Sequence, residues 1–346
     1  MLGLCPAVTA DDKPVIDAWY GDTQQFGSRG NTQPMINILG SIRPSALAAN
    51  PYFRVNGGTL RPFVLGTDLH RLANDGDFNL EIDRASLKPG KNVVQIHVRT
   101  PKGVDVTRDV EFQYEQGRKW ELPYKVDFTK VSSIQDVVEV IDGKWRLTND
   151  GLRTAEPYYD RQIAFGDSSW KDYELEAEIL IHRMLPDLQG RNQGAPPYLS
   201  HSHVSFNLRW AGHPDDGFSP RRDWQNLGSL VALRADLSTP NRGSYWWMHF
   251  GRGVKGRPAK RSLTVREKRL SVQPDTRYRY RMKVETLGEA RARYSTKMWA
   301  TEDAEPDDWQ MVAVDESERF ASGSAVFVVH HSDVTLCSIV VRLSEP

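Results

Sequence analysis

The sequence predicts an all-β protein built as two successive sandwiches. Three observations carry this. Apolar residues recur at every second position over long stretches, the period of a strand with one face buried. No segment repeats at the 3.6-residue period of an amphipathic helix. Turn formers and aromatic residues are frequent, with 26 Gly, 20 Pro, 10 Trp, 12 Tyr and 12 Phe in 346 residues, a composition that suits many short strands. The length is enough for two cores.

The charges balance at 45 basic and 45 acidic residues, so no overall field draws the chain to nucleic acid or a membrane surface. No apolar run is long enough to span a bilayer. The partners expected therefore include neither nucleic acid nor a membrane span. Cys5 and Cys337 do not define a disulfide framework, and Cys337, among apolar neighbours, reads as a small core residue. Residues 1–10 carry an apolar patch without a basic leader or a full hydrophobic stretch. No signal peptide is evident, although Val8-Thr9-Ala10 has the small-x-small form of a cleavage site. A secreted or cell-surface location is the expectation.

In chain order, residues 15–20 and 35–42 read as strands. Residues 52–55 run into Asn56-Gly57-Gly58, a hairpin signal because Asn and Gly accept positive φ, and residues 60–65 return. Phe78-Asn79-Leu80-Glu81-Ile82 alternates, Lys88-Pro89-Gly90-Lys91-Asn92 turns, and residues 93–98 and 106–114 complete the set. Seven short strands in about a hundred residues suggest an immunoglobulin-like sandwich, though without the Cys…Trp…Cys core of antibody domains. The run Gly76-Asp77-Phe78-Asn79-Leu80-Glu81-Ile82, followed by Leu87-Lys88-Pro89-Gly90-Lys91-Asn92-Val93-Val94, resembles the later strands of bacterial extracellular Ig-like repeats. That resemblance covers residues 14–115 and implies a spacer or adhesive module. Residues 116–125 read as a linker in which Trp120 can pack the two domains together.

Residues 126–346 hold more than ten strand-like runs. In residues 173–182, Tyr173, Leu175, Ala177, Ile179 and Ile181 lie on one side and Glu174, Glu176, Glu178 and His182 on the other. Residues 201–210 place Val204, Phe206, Leu208 and Trp210 opposite His203, Ser205, Asn207 and Arg209. Residues 245–250 place Trp246, Met248 and Phe250 opposite Tyr245, Trp247 and His249. Such a count without helices indicates a two-sheet jelly roll. The stretch Trp170-Lys171-Asp172-Tyr173-Glu174-Leu175-Glu176-Ala177, the strand 278–285 and the glycine-led ending 323–331 resemble the concanavalin A-like/laminin-G superfamily. Lectins, adhesion modules, glycoside hydrolases and polysaccharide lyases share that fold.

The polar sides of 201–210 and 245–250 are the candidate site. Imidazole, carboxamide and guanidinium groups hydrogen-bond directionally, as sugar hydroxyls require, and aromatic rings stack on the C–H faces of pyranoses. Asn207, Trp247, His249 and Arg252 are the expected ligand-binding residues. Two alternatives stay open: a solvated sheet face, and a face buried under loops. If the site is catalytic, His203 or Tyr245 is the proton acceptor and Arg209 the charge stabiliser. The superfamily's usual glycosidase strand, Glu-x-Asp-x-x-Glu, is absent: Glu174-Leu175-Glu176-Ala177-Glu178 departs from it.

Residues 252–283 are strongly basic, which adds an anionic glycan to the options. Arg279, Arg281 and Lys283 instead fit a cross-strand ladder with Glu174–Glu178. There is no H-E-x-x-H or C-x-x-C motif, and Asp215-Asp216 reads as a surface loop. No metal and no cofactor is expected. The leading expectation is a polysaccharide- or glycan-binding jelly roll on an Ig-like spacer. A lyase or unusual glycoside hydrolase using the same groove is the alternative, and a structural adhesion module the third.

Overall fold

The computed structural model describes residues 13–68, 70–184, 201–221, 227–236, 244–250, 261–316 and 318–344, without the side chains of 236 and 261–269. The chain is all-β. Among the described residues the helical turns are 3-10 turns of three residues each, such as Ile134–Asp136.

Among the described residues eight strands precede Glu115: β1 (Val15–Ala18), β2 (Thr23–Phe26), β3 (Met35–Arg43), β4 (Ala49–Val55), β5 (Arg61–Pro62), β6 (Asp77–Asp83), β7 (Gly90–Arg99) and β8 (Asp105–Tyr114). They form a three-stranded sheet, β1-β3-β6, and a five-stranded sheet, β2-β8-β7-β4-β5. Ile16, Ile36, Ile38, Phe53, Phe78, Leu80, Val94, Ile96 and Phe112 fill the space between them as one apolar cluster. The return strand expected over 60–65 shrinks to Arg61–Pro62, because Pro62 has no N–H to continue the ladder.

The remaining strands are β9 (Tyr124–Asp127), β10 (Glu139–Asp142), β11 (Trp145–Thr148), β12 (Gly151–Thr154), β13 (Arg161–Phe165), β14 (Tyr173–Met184), β15 (His201–Gly212), β16 (Leu227–Asp236), β17 (Ser244–Phe250), β18 (Arg261–Leu270), β19 (Thr276–Gly288), β20 (Arg291–Ala300), β21 (Met311–Asp315), β22 (Ser324–His330) and β23 (Ser332–Leu343). One sheet runs β10-β13-β22-β15-β16-β17-β18, the other β11-β12-β23-β14-β19-β20-β21 with β9 beside β23. The main core lies between them. Val204, Phe206, Leu208, Trp246, Met248 and Phe327 from the first sheet meet Tyr173, Leu175, Ala177, Tyr280, Met282 and Tyr294 from the second. The Tyr280 hydroxyl crosses this core to donate to the Val231 carbonyl at 2.9 Å.

The sandwiches join through buried charge. Arg71 of the first donates to Asp142 Oδ2 (2.5 Å), to Glu81 Oε1 (2.6 Å) and to the Ile141 carbonyl (3.1 Å). Arg84 pairs with Glu139 at 2.6 Å. Trp120 is buried in the second core, and its backbone N–H donates to Asp167 Oδ2 at 3.1 Å.

The charge ladder on the eight-stranded sheet forms diagonally. Glu176 stands directly across from Arg281. The ion pairs step one pleat sideways: Arg281–Glu174 at 2.6 Å, Arg279–Glu176 at 3.6 Å and Arg277–Glu178 at 3.1 Å. A long guanidinium stem leans along its strand, which favours the diagonal carboxylate over the opposite one.

Candidate functional site: the outer face of the seven-stranded sheet

The outer face of this sheet is built in rows by strand register. Each row takes one residue from each neighbouring strand. His330, His203, Arg234 and Tyr245 form the first. Gln162, Val328, Ser205, Ala232 and Trp247 form the second. Ala164, Val326, Asn207, Leu230 and His249 form the third. The two polar sets read from alternation, His203 with Asn207 and Tyr245 with Trp247 and His249, thus share one surface.

Arg209 does not join them. The alternation breaks after Leu208, where β15 shifts register and Arg209 adopts φ +51°. The bulge adds a residue, so Trp210 swings to the outer face, into a small cluster with Ile141, Ala164, Leu230, Val326 and Val328. The Arg209 side chain turns the other way and is 1% exposed. It donates to the Lys171 carbonyl (3.0 Å), to Asp172 Oδ1 (3.1 Å) and to Thr286 Oγ1 (2.7 Å). The charge-stabiliser role expected of it is corrected: it ties together the end of the sandwich. Gly323 allows this, since a Cβ there would lie 2.3 Å from the Arg209 backbone carbon. Arg252 lies outside the described residues, as do 253–260. Arg266, Lys268 and Arg269 lie on β18, where side chains are not described.

Asn207 is fully buried, and among the described residues neither atom of its carboxamide has a hydrogen-bond partner. Leaving such a group unpartnered costs about 1–3 kcal/mol. Trp247 is half-buried, its ring stacked on His249 at 5.5 Å with the Arg234 guanidinium 5.3 Å over its face. Tyr245 and His249 are 3% and 4% exposed, so this is a recessed surface rather than an open aromatic platform.

One end of the face holds a histidine cluster that local motifs did not reveal. His203 and His330 stack at 4.6 Å with ring planes 2° apart. His201 stacks on His330 at 4.7 Å and on His203 at 5.7 Å. His331 meets His330 edge-on at 4.3 Å. The hydrogen bonds fix one tautomer. Asp160 Oδ1 accepts from His330 Nδ1 at 2.7 Å, so His330 carries its proton on Nδ1 and keeps a lone pair on Nε2. Ser205 Oγ lies 3.2 Å from the Val328 carbonyl and 3.0 Å from His203 Nδ1 and holds that ring in place. Nε2 of His330 is buried with no hydrogen-bond partner among the described residues.

Burial sets the charge states. It pushes His203 well below the ordinary imidazole range, helped by His330 and His201. Burial, then the Arg234 and Arg161 charges, lower His330 to about 3. Burial and His330 lower His331 to about 3. Burial raises Asp160 to about 6, against the pull of His331 and Arg161. At neutral pH His203, His330 and His331 are neutral imidazoles beside an ionised Asp160 carboxylate.

The sequence signal for this cluster was His201-Ser202-His203 in one alternating strand and His330-His331 in another. Only pairing β15 with β22 brings His203 opposite His330.

No family model matches the chain, and no curated protein matches it. Solved structures with partial likeness include the VIP36 exoplasmic/lumenal domain in its Ca2+/Man3GlcNAc-bound form (13% identity, 65% of this chain and 90% of that one, TM-score 0.40). A second is the Crh5 transglycosylase in complex with NAG (11% identity, 66% and 86%, TM-score 0.38). A third is the alginate lyase Aly36B in complex with alginate trisaccharide (10% identity, 61% and 86%, TM-score 0.31).

Proposed function

We propose that the protein binds carbohydrate on the outer face of the seven-stranded sheet, with residues 14–115 as an Ig-like spacer, 116–125 as a linker and 126–346 as the binding jelly roll. A secreted or cell-surface location belongs to the same reading. The observation that carries it is the Asn207 carboxamide, buried and without a partner among the described residues, two rows of strand register from His203 and separated by β16 from the strand that bears Trp247. A sugar offers what this face lacks: hydroxyls for the amide and a C–H face for the indole. Arg234, over the Trp247 ring, supplies a charge for an acidic sugar or a vicinal diol.

A second reading, an enzyme that degrades the polysaccharide it binds, is supported by the histidine cluster. Binding alone has no need of neutral imidazoles held by a buried carboxylate, whereas perturbed groups of this kind accumulate at catalytic sites. Tyr245 faces the same row.

A glycan array covering neutral and uronate-containing polysaccharides tests the first reading, followed by product analysis on each hit. Binding lost in Trp247→Ala and Asn207→Leu supports it. Binding that survives both variants places the ligand elsewhere, and absence of any hit removes the reading. New reducing ends or unsaturated products would move the protein to the second reading.

A further inference from the structure

We propose that His201, His203 and His330 form a binding site for a divalent transition-metal ion of the zinc class. One ring nitrogen from each lies within 4.8 Å of the others. For three atoms so spaced, some point lies within about 2.8 Å of all of them, against the metal–imidazole distance of about 2.0–2.1 Å. Closing that gap takes shifts below about 1 Å together with rotation about χ2, a broad and soft torsion in histidine. The rings must rotate, because stacked planes aim their lone pairs in parallel rather than at one point.

The chemistry of the donors favours a cation. Nε2 of His330 is a buried lone pair with no hydrogen-bond partner among the described residues. Nε2 of His203 stands 3.9 Å from Asp160 Oδ1, so a cation held by these rings has a carboxylate close by. Both rings are also oriented from behind, His330 by Asp160 and His203 by Ser205, with Ser205 anchored on the Val328 carbonyl. A carboxylate behind a ligating histidine fixes its tautomer and raises its basicity. The Arg234 guanidinium, across from His203, works against a cation, and Asp160 offsets it. Three imidazoles leave a fourth position for water or a ligand oxygen, as in catalytic rather than closed structural zinc sites. Imidazole donors suit zinc, copper, nickel or ferrous iron and disfavour calcium and magnesium.

The test is titration of the full chain with Zn2+, after chelator treatment, by isothermal calorimetry. The expected result is one ion per chain. The one-to-one isotherm should disappear in His203→Gln and in His330→Gln. It should weaken by about 10–100-fold in Asp160→Asn, which keeps the shape and loses the charge. It should be unchanged in His97→Gln, in the first sandwich. Imidazole nitrogen NMR of the wild-type chain provides a readout that needs no variant. Zn2+ should shift three of the nine histidines, and the shifted set should include the ring that is protonated on Nδ1 against Asp160. Absence of binding, an isotherm that survives both glutamine variants, or shifts confined to other histidines would overturn the proposal. None of these outcomes depends on whether a glycan binds.

Discussion

His330 donates its Nδ1 proton to Asp160 across 2.7 Å, from the end of β22 to a buried carboxylate at φ +27° in the turn before β13. The pair couples the histidine cluster to acid. His203, His213, His330 and His331 are all held below the usual imidazole range, chiefly by burial. Each takes a proton in the unfolded chain near its ordinary value and resists one when folded, so stability present above that value is lost as pH falls. Asp142 and Asp160 are raised to about 6 and act in the opposite sense, gaining stability as pH falls through that value. Burial raises Asp77 as well, so four imidazoles stand against three carboxyls. The urea midpoint is therefore expected to fall between about pH 7 and about pH 5, at up to about 1.4 kcal/mol per pH unit for each net proton. A midpoint flat or rising over that interval would contradict the assignment of neutral buried imidazoles.

Asn207→Leu separates binding from stability. The carboxamide has no partner among the described residues, so an apolar group of similar shape is expected to leave stability equal or higher. Glycan affinity should fall by about 1–3 kcal/mol, the cost of leaving a ligand's polar group unpaired. Trp247→Ala should weaken binding by a similar amount, about 1–3 kcal/mol, through lost apolar contact. Thermal unfolding and affinity measured on the same preparations check both.

Arg209→Ala should behave in the reverse way. It removes hydrogen bonds to Lys171, Asp172 and Thr286 in a side chain that is 1% exposed. A loss of about 2–3 kcal/mol of stability is expected, with affinity per folded molecule unchanged. A stable variant that no longer binds would return Arg209 to the site.

Glu176→Gln is expected to change stability by no more than about 1 kcal/mol and to leave binding intact. Glu176 is 26% exposed, its ion pairs to Arg279 and Arg342 are both 3.6 Å, and it lies on the sheet opposite the site. A larger effect in a denaturant titration would show the ladder to be cooperative.

Much of the fold was legible because strand alternation is a local property. The apolar sides of β14 and β17, and Val204, Phe206 and Leu208 of β15, fill the core as the period-two pattern requires, and the Glu and Arg runs of β14 and β19 meet as charge complementarity suggests. The outward placement of Tyr245, Trp247 and His249 follows from the same rule. Arg209 and Trp210 did not follow it, because one inserted residue at a bulge reverses every side chain beyond it, and nothing in the local sequence marks the insertion. The histidine cluster lay equally beyond reach. His201 and His203 are separated from His330 by more than 120 residues, and neither half has the spacing of a metal or catalytic motif. Which strands become neighbours, and in which register, is decided by packing two whole sheets against one core. Only that packing sets His203 opposite His330 and places Asp160 behind it.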